Sequence, residues 1–333
     1  MIAVTAVPCR FRRGLARSAR AATHWLCAAV VLGATGLPAV QASEPPTLPP
    51  GAATELQHGR YLTLIAGCHA CHTDHAGGGA YLAGGAAIQT PFGEFFPPNI
   101  TPDQDTGIGG WSDEDFLRAM QHGIAPDGRR YFPVFPYTSY SRMTNADVLA
   151  IKHYLDQLTP VRQPRQAQQP QGLARLDSLL PVWQQLYLKP EWTALSATTE
   201  ADLQRGAYLV EAVSHCGECH SRRDALGGTR QRLWLRGARL PSGHWATNLT
   251  PHADGIAAWD VDELADYLRR GRSDMGAKAR YEMREFVDHA GRYLSEADSI
   301  AIARYLMALP AAPDHEPCRW RGPRPGRCVT RGQ

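Results

Sequence analysis

The chain has 333 residues, 44% of them hydrophobic and 20% charged, with 31 glycines and 25 prolines. This length suggests two domains. The hydrophobic share excludes overall disorder, and the Gly/Pro load points to long loops rather than one continuous helical bundle. The net charge of +3 resides at the ends: without the five arginines of residues 1–42 and the tail from Asp314, which has five arginines and two acids, the rest stands at −5. Such a core offers no clustered basic face for a nucleic acid.

At the N-terminus a basic stretch (Arg10, Arg12, Arg13, Arg17, Arg20) precedes an apolar one at 25–37 and the small-residue site Val40-Gln41-Ala42. That order reads as a secretory signal peptide over residues 1–42. An uncleaved anchor is the alternative, but the apolar part falls short of the ~20 residues of a membrane span. Export to an oxidising compartment follows.

Of the eight cysteines, Cys9 and Cys27 fall in that leader and Cys318 and Cys328 in the tail. The other four form one pattern twice: Cys68-His69-Ala70-Cys71-His72 and Cys216-Gly217-Glu218-Cys219-His220. C-x-x-C-H is the attachment motif of c-type haem. Two thiols at this spacing add across the two vinyl groups of one haem, and the adjacent histidine is held under the iron as proximal ligand. A thioredoxin-like redox pair would want a βαβ setting, and zinc would want two more ligands close by. The expectation is two haems c per chain, bound through Cys68, Cys71, Cys216 and Cys219, with His72 and His220 as axial ligands.

The surroundings repeat as well. Gly59-Arg60-Tyr61-Leu62 returns as Gly206-Ala207-Tyr208-Leu209 at an offset of 147, and Cys68 returns as Cys216 at 148. Asn99-Ile100-Thr101-Pro102 returns as Asn248-Leu249-Thr250-Pro251 at 149. Trp111 returns as Trp259 at 148. Self-similarity at a fixed offset implies duplicated units, here at 52–160 and 199–311, each a small all-α haem domain with long loops. In chain order, Thr54-x-x-Gln57 caps a first helix running into the motif. Ser112-x-x-Asp115 opens a middle helix through about Gln121, and Thr144-x-x-Asp147 opens a last one over 148–158. In the second unit Thr199-x-x-Asp202 and Ser295-x-x-Asp298 play the outer two parts, the latter opening a helix over 299–309. The small Gly59 and Gly206 would let last and first helices cross closely. Residues 161–198 form a linker whose apolar part (Leu179, Leu180, Trp183, Leu186, Tyr187, Trp192) lies across both units. Residues 312–333 form an Arg/Pro/Gly-rich tail.

Electron-transfer haems commonly take Met opposite His. Met283 lies 63 residues after His220 and is preferred over Met275 and Met307. The same spacing from His72 falls on Phe135, which offers no lone pair. Met143 is then the substitute sixth ligand, with Met120, His122 and His153 as others; a five-coordinate haem is the alternative.

At these residues the chain resembles the multi-haem cytochrome c subunits of bacterial membrane-bound alcohol and gluconate dehydrogenases. The stretches that carry this are Thr90-Pro91-Phe92-Gly93, Asn99 to Asp103, Thr106 to Asp115, Arg205 to Glu211 and Tyr281-Glu282-Met283. The resemblance implies two tandem class I-type cytochrome c domains where that family typically has three, and a Met where Phe135 stands. It also implies an electron-transfer subunit, with no catalysis of its own, that takes electrons from a dehydrogenase catalytic subunit oxidising an alcohol, aldehyde or sugar acid. A quinone, a terminal oxidase or another cytochrome would accept them. The setting implied is the periplasm, with peripheral attachment to the membrane through the complex. A di-haem peroxidase-like enzyme, with haem 1 as an open ligand-binding site, is the competing reading. Gly77-Gly78-Gly79 lacks the spacing of a dinucleotide fingerprint.

Overall fold

In the computed structural model, residues 44–48, 50–194 and 200–314 are described. The expected leader, Thr199 and the tail beyond Asp314 lie outside them. Eleven helices are found among these residues. The first five are α1 (Thr54–Ile65), α2 (Cys68–His72), α3 (Asp113–His122), α4 (Tyr137–Tyr140) and α5 (Asn145–Asp156). Helix α6 (Leu180–Tyr187) lies in the connecting stretch. Then follow α7 (Ala201–Tyr208), α8 (Gly217–His220), α9 (Val261–Arg270), α10 (Tyr281–His289) and α11 (Glu296–Ala308).

The caps explain most of the boundaries. Ser112 forms a capping box with Asp115, and the side chains of Thr144 and Ser295 accept from the backbone N–H of Asp147 and Asp298. Each satisfies an orphan donor of the first helical turn. The helices behind Thr144 and Ser295 open three residues earlier than the apolar pattern alone suggested. Thr54 departs from expectation: it is already inside α1, and Ala53 holds the extended cap position without a side-chain bond. A helical Thr54 cannot turn its hydroxyl onto the first-turn amides. Instead Gln57 Nε2 donates to the carbonyl of Ala52 at 2.9 Å.

Helix α5 packs along α1, and α11 packs along α7 and α9. Both crossings are close because a glycine faces the partner backbone. A Cβ on Gly59 would lie 1.9 Å from the Ala150 carbonyl oxygen, and one on Gly206 2.1 Å from that of Ala301. Around these crossings Leu62, Ile65, Val148, Ile151 and Tyr154, and then Leu209, Val213, Ile302, Tyr305 and Leu306, are almost wholly buried in one apolar core.

The two halves differ just before the second motif. Cys216 follows Gly206 by ten positions, against nine from Gly59 to Cys68. The extra residue is taken up by a π-helical turn, Leu209–Val213, in which the Ser214 N–H donates to the Leu209 carbonyl five residues back. A π turn accommodates one more residue than an α turn. It carries the buried Glu211, whose Oε1 accepts from Thr193 Oγ1 at 3.2 Å, from the Ala194 N–H at 3.0 Å and from the Tyr305 hydroxyl.

Helices dominate, but an all-α description omits two small antiparallel sheets. Strands β1 (Ile88–Thr90), β2 (Gly93–Phe95) and β3 (Gln169–Pro170) form one, and β4 (Arg236–Arg239) and β5 (Trp245–Asn248) the other. The β1–β2 turn passes through Gly93 at φ +120°, a conformation open essentially to glycine. Because Gln169 and Pro170 pair with β2, the first part of the linker is ordered against the first half. Helix α6 then reaches both halves: Gln184 Nε2 donates to the His122 carbonyl, and Trp183 Nε1 to that of Leu226, each at 2.9 Å. Leu180 is buried there, whereas Leu179 and Leu186, expected inside, are 43% and 53% exposed. Among the described residues no helix is long and apolar enough to cross a membrane.

Candidate haem-attachment site

Both C-x-x-C-H motifs fold as about one helical turn: α2 holds the whole first motif, and α8 holds Gly217 to His220 of the second with Cys216 as its cap. His72 Nδ1 donates to the carbonyl of Pro98, and His220 Nδ1 to that of Thr247, both at 2.7 Å. In each case the tautomer is fixed and Nε2 is left with a free lone pair, as an iron ligand requires. Burial lowers the pKa of both imidazoles, which favours the neutral, ligating form.

The accepting carbonyls belong to the residues just before Asn99 and Asn248, which gives the repeated Asn-x-Thr-Pro sequence its physical role. Asn99 Oδ1 accepts from the Thr101 N–H at 2.9 Å, while its Nδ2 donates to the Val161 carbonyl at 2.7 Å. Asn248 does the same with Thr250 and Ala312, both at 2.8 Å. A second strut joins this loop to the motif. Leu82 and Leu235, both fully buried, hold left-handed backbones at φ +58° and +55°. Their N–H groups donate to Thr73 Oγ1 and Ser221 Oγ, directly after the two motifs, and their carbonyls accept from Ile100 and Leu249. Such backbone strain costs about 1–3 kcal/mol and persists only where the surroundings over-determine it.

All four motif thiols are free. Burial pushes the Cys68 and Cys216 thiols up to about 12, and Cys219 to about 11; Cys71 is raised by the same cause. They therefore stay protonated at neutral pH, unlike the thiolates of a dithiol oxidoreductase or a zinc site. Although set among protein atoms, Cys71 and Cys219 remain exposed. Paired thiols open to space, beside a histidine whose free nitrogen is fixed, fit a covalently bound haem.

The two motifs lie against each other. Ser214 Oγ donates to the Ile65 carbonyl at 3.1 Å, and His215 Nε2 to that of Ala66 at 3.2 Å. Glu218 of α8 accepts from Ser139 at 3.1 Å and Thr138 at 3.3 Å. Burial alone would raise the Glu218 carboxyl, but Arg223, His215 and Ser139 outweigh it and hold it below its usual range. Cys71 is close enough to Cys219 to disfavour its ionisation.

The candidate sixth ligands are placed as follows. Met283 lies in α10, half-buried against the core, whereas Met275 is 59% exposed in a turn. Met307 lies on α11 against the core. Phe135 packs among Tyr131, Tyr137 and Tyr140 at centroid distances of 5.6, 6.3 and 5.8 Å. Met143 is 3% exposed, immediately before the α5 cap, and its carbonyl accepts from Gln121 Nε2 at 2.9 Å. Met120 is buried on α3; His122 is exposed, and His153 Nδ1 bonds Glu55 at 2.7 Å on the surface.

The family model described as Cytochrome c matches residues 57–159. A diheme cytochrome c-type protein of Cereibacter sphaeroides is 36% identical over 304 residues, covering 88% of this chain and 99% of its own. The fructose dehydrogenase cytochrome subunit of Gluconobacter japonicus is 37% identical over 262 residues, 77% of this chain and 53% of its own. The gluconate 2-dehydrogenase cytochrome c subunit of Pantoea cypripedii is 36% identical over 267 residues, 77% and 60% of the two chains. The chain thus spans little more than half the length of these two dehydrogenase subunits. It belongs to the c-type cytochromes, in the family that includes the cytochrome subunits of bacterial fructose, gluconate and alcohol dehydrogenases. Membership implies covalently bound haem c.

Proposed function

We propose that this chain is a di-haem electron-transfer subunit, built as two tandem cytochrome c domains at 52–160 and 199–311. Haem 1 is held by Cys68, Cys71 and His72, and haem 2 by Cys216, Cys219 and His220. The observation that carries this reading is the matched setting of the two histidines, each fixed by one backbone carbonyl at 2.7 Å. The haems, when bound, supply reversible one-electron chemistry; the chain supplies ligation, burial and spacing. The contact between residues 65–66 and 214–215 supports electron passage from one haem to the other within the chain.

In this reading the electrons come from an exported or membrane-bound dehydrogenase that oxidises an alcohol, an aldehyde or a sugar acid. They leave to a quinone, a terminal oxidase or another cytochrome. Export by the leader places the protein in the periplasm, attached to the membrane through its complex. The names of the relatives favour this carrier role over a peroxidase-like one. Met283 would serve as the sixth ligand of haem 2, and its position on α10 against the core supports it over the exposed Met275. Phe135 at the equivalent place would leave haem 1 at lower potential, with Met143 as its substitute ligand or the sixth position open.

Mass and pyridine haemochrome analysis of the exported protein should give two haems per chain; one would overturn the assignment. Met283→Ala should lower the potential of haem 2 and remove its sulfur-to-iron band. If Met275→Ala does so instead, the ligand choice is wrong. Phe135→Met should raise the potential of haem 1 and suppress carbon monoxide binding there. A native protein that already refuses carbon monoxide at both haems would assign Met143, or another group, to haem 1.

A further inference from the structure

Beside the first motif, on the side chains the haem reading does not use, three histidines converge. His69 is the second residue of α2, His75 follows it in the next loop, and His289 is the last residue of α10, from the other half of the chain. One ring nitrogen of each lies within 4.8 Å of the others. His75 and His289 stack at 3.9 Å, and His69 stands edge-on to His289 at 5.3 Å and to His75 at 5.5 Å.

Three features mark this as more than aromatic packing. His69 is only 1% exposed, yet its Nδ1 is buried without a hydrogen-bond partner. A buried polar nitrogen left unpaired forfeits its hydration without return, and that cost calls for a compensating ligand. His75 Nε2 donates to the backbone carbonyl of His69 at 3.0 Å, so its Nδ1 carries the lone pair. That is the arrangement by which metal-ligating histidines are ordinarily oriented. Finally, His289 ends a helix, where the aligned carbonyls favour a positive charge.

We propose that His69, His75 and His289 form a binding site for one divalent transition cation of borderline softness, of which Zn²⁺ is the representative. Three imidazoles and an open fourth position suit such an ion. Nitrogens about 2.0–2.1 Å from a tetrahedral centre stand roughly 3.4 Å apart, so the rings close slightly by side-chain rotation on binding. Burial holds His69 at about 3, and lowers His289, so both are neutral at the pH at which a metal would bind. Of the charges acting on the cluster, Arg292 opposes a cation, while Glu44 and Asp288 act on His289 in the opposite sense. Because two ligands come from the first half and one from the second, the ion would fasten α10 to the first motif.

This inference is independent of the haem assignment, and its test is run on the haem-loaded, full exported chain. Titration with zinc chloride, followed by calorimetry and by metal analysis after gel filtration, should show one tight site per chain. His289→Ala and, separately, His75→Gln should each weaken it roughly 100-fold or more. His153→Ala, at a surface histidine, should leave it unchanged. Zinc should also raise the unfolding temperature of the native chain and not that of His289→Ala. Haem content and the haem spectrum report whether each variant has folded, and the second variant serves if the first does not. No tight site, or affinity that survives both substitutions, would overturn the proposal.

Discussion

Two aspartates occupy equivalent places in the two halves, and their partners are exchanged. Asp147, at the third position of α5, binds His58 Nε2 of its own half at 2.6 Å and the hydroxyl of Tyr208 from the other half. Asp298, at the third position of α11, binds Arg205 of its own half at 2.7 and 2.8 Å and the hydroxyl of Tyr61 from the other at 2.6 Å. Each tyrosine oxygen also accepts the cap N–H of the opposite last helix, Thr144 for Tyr208 at 3.2 Å and Ser295 for Tyr61 at 3.3 Å. Tyr61 and Tyr208 are partners in the sequence repeat. The halves therefore meet by a reciprocal exchange, as two copies of one unit do across a two-fold axis. The difference lies in the cation. Arg205 grips its carboxylate with two parallel donors, whereas His58 offers one and carries charge only when protonated. An equivalent position thus does unequal work, and the second half should be the more firmly tied.

The largest effects test whether the halves are equivalent where the cofactor binds. Cys216→Ala with Cys219→Ala should remove half of the pyridine haemochrome signal, and Cys68→Ala with Cys71→Ala the other half. An unchanged signal in either case breaks the equivalence. Next come the helix crossings. Gly59→Ala and Gly206→Ala each drive a methyl into a carbonyl of the facing helix, and each should cost about 1–3 kcal/mol in denaturant unfolding. A neutral Gly59→Ala would mean that the α1–α5 crossing has slack that α7–α11 lacks.

The aspartates sharpen the comparison. Asp298→Asn should cost about 2 kcal/mol, more than Asp147→Asn, since hydrogen bonds to charged groups contribute about 1.5–3 kcal/mol. Burial raises the Asp298 carboxyl, but the bonds from Arg205 and Tyr61 outweigh it and hold it below its ordinary 3.8. A depressed folded-state pKa means that the stabilisation is complete above 3.8 and is lost as pH falls through the folded value. Acid unfolding of Asp298→Asn should therefore lack part of that limb, and an identical acid profile would contradict the account. The smallest effect is at the alkaline end. Burial and the Asp298 bond raise the Tyr61 hydroxyl to about 12, so its contribution holds below pH 10 and fades as pH rises through 12. Tyr61→Phe, at about 1 kcal/mol, should reduce that alkaline dependence.

The features legible in the sequence were those written locally. Ser112, Thr144 and Ser295 announce helices because a cap and its third residue lie within one turn. The haem motifs are legible for the same reason. Asn99 and Asn248 were visible as a repeat, but their work of holding Pro98 and Thr247 against the two histidines appears only in three dimensions. Strand β3 escaped notice because two residues gain extended partners about 75 positions upstream, a pairing that leaves no alternation to read. His75 and His289 gave no signal either: they lie far apart in the chain and meet only because α10 of one half crosses the motif of the other.

The π turn at Leu209–Val213 has a consequence for the angular phase of the second motif. One residue added to an ordinary α-helix turns all that follows by about 100° and would swing Cys216 off its bearing. The wider turn absorbs that rotation within five residues, so the helix before it and the motif after it keep the alignment they have in the first half. The tolerance is local. A deletion inside the turn would return the helix to the spacing of α1, whereas a deletion of the same length at Ala207 would rotate Tyr208 and Leu209 out of step with Gly206.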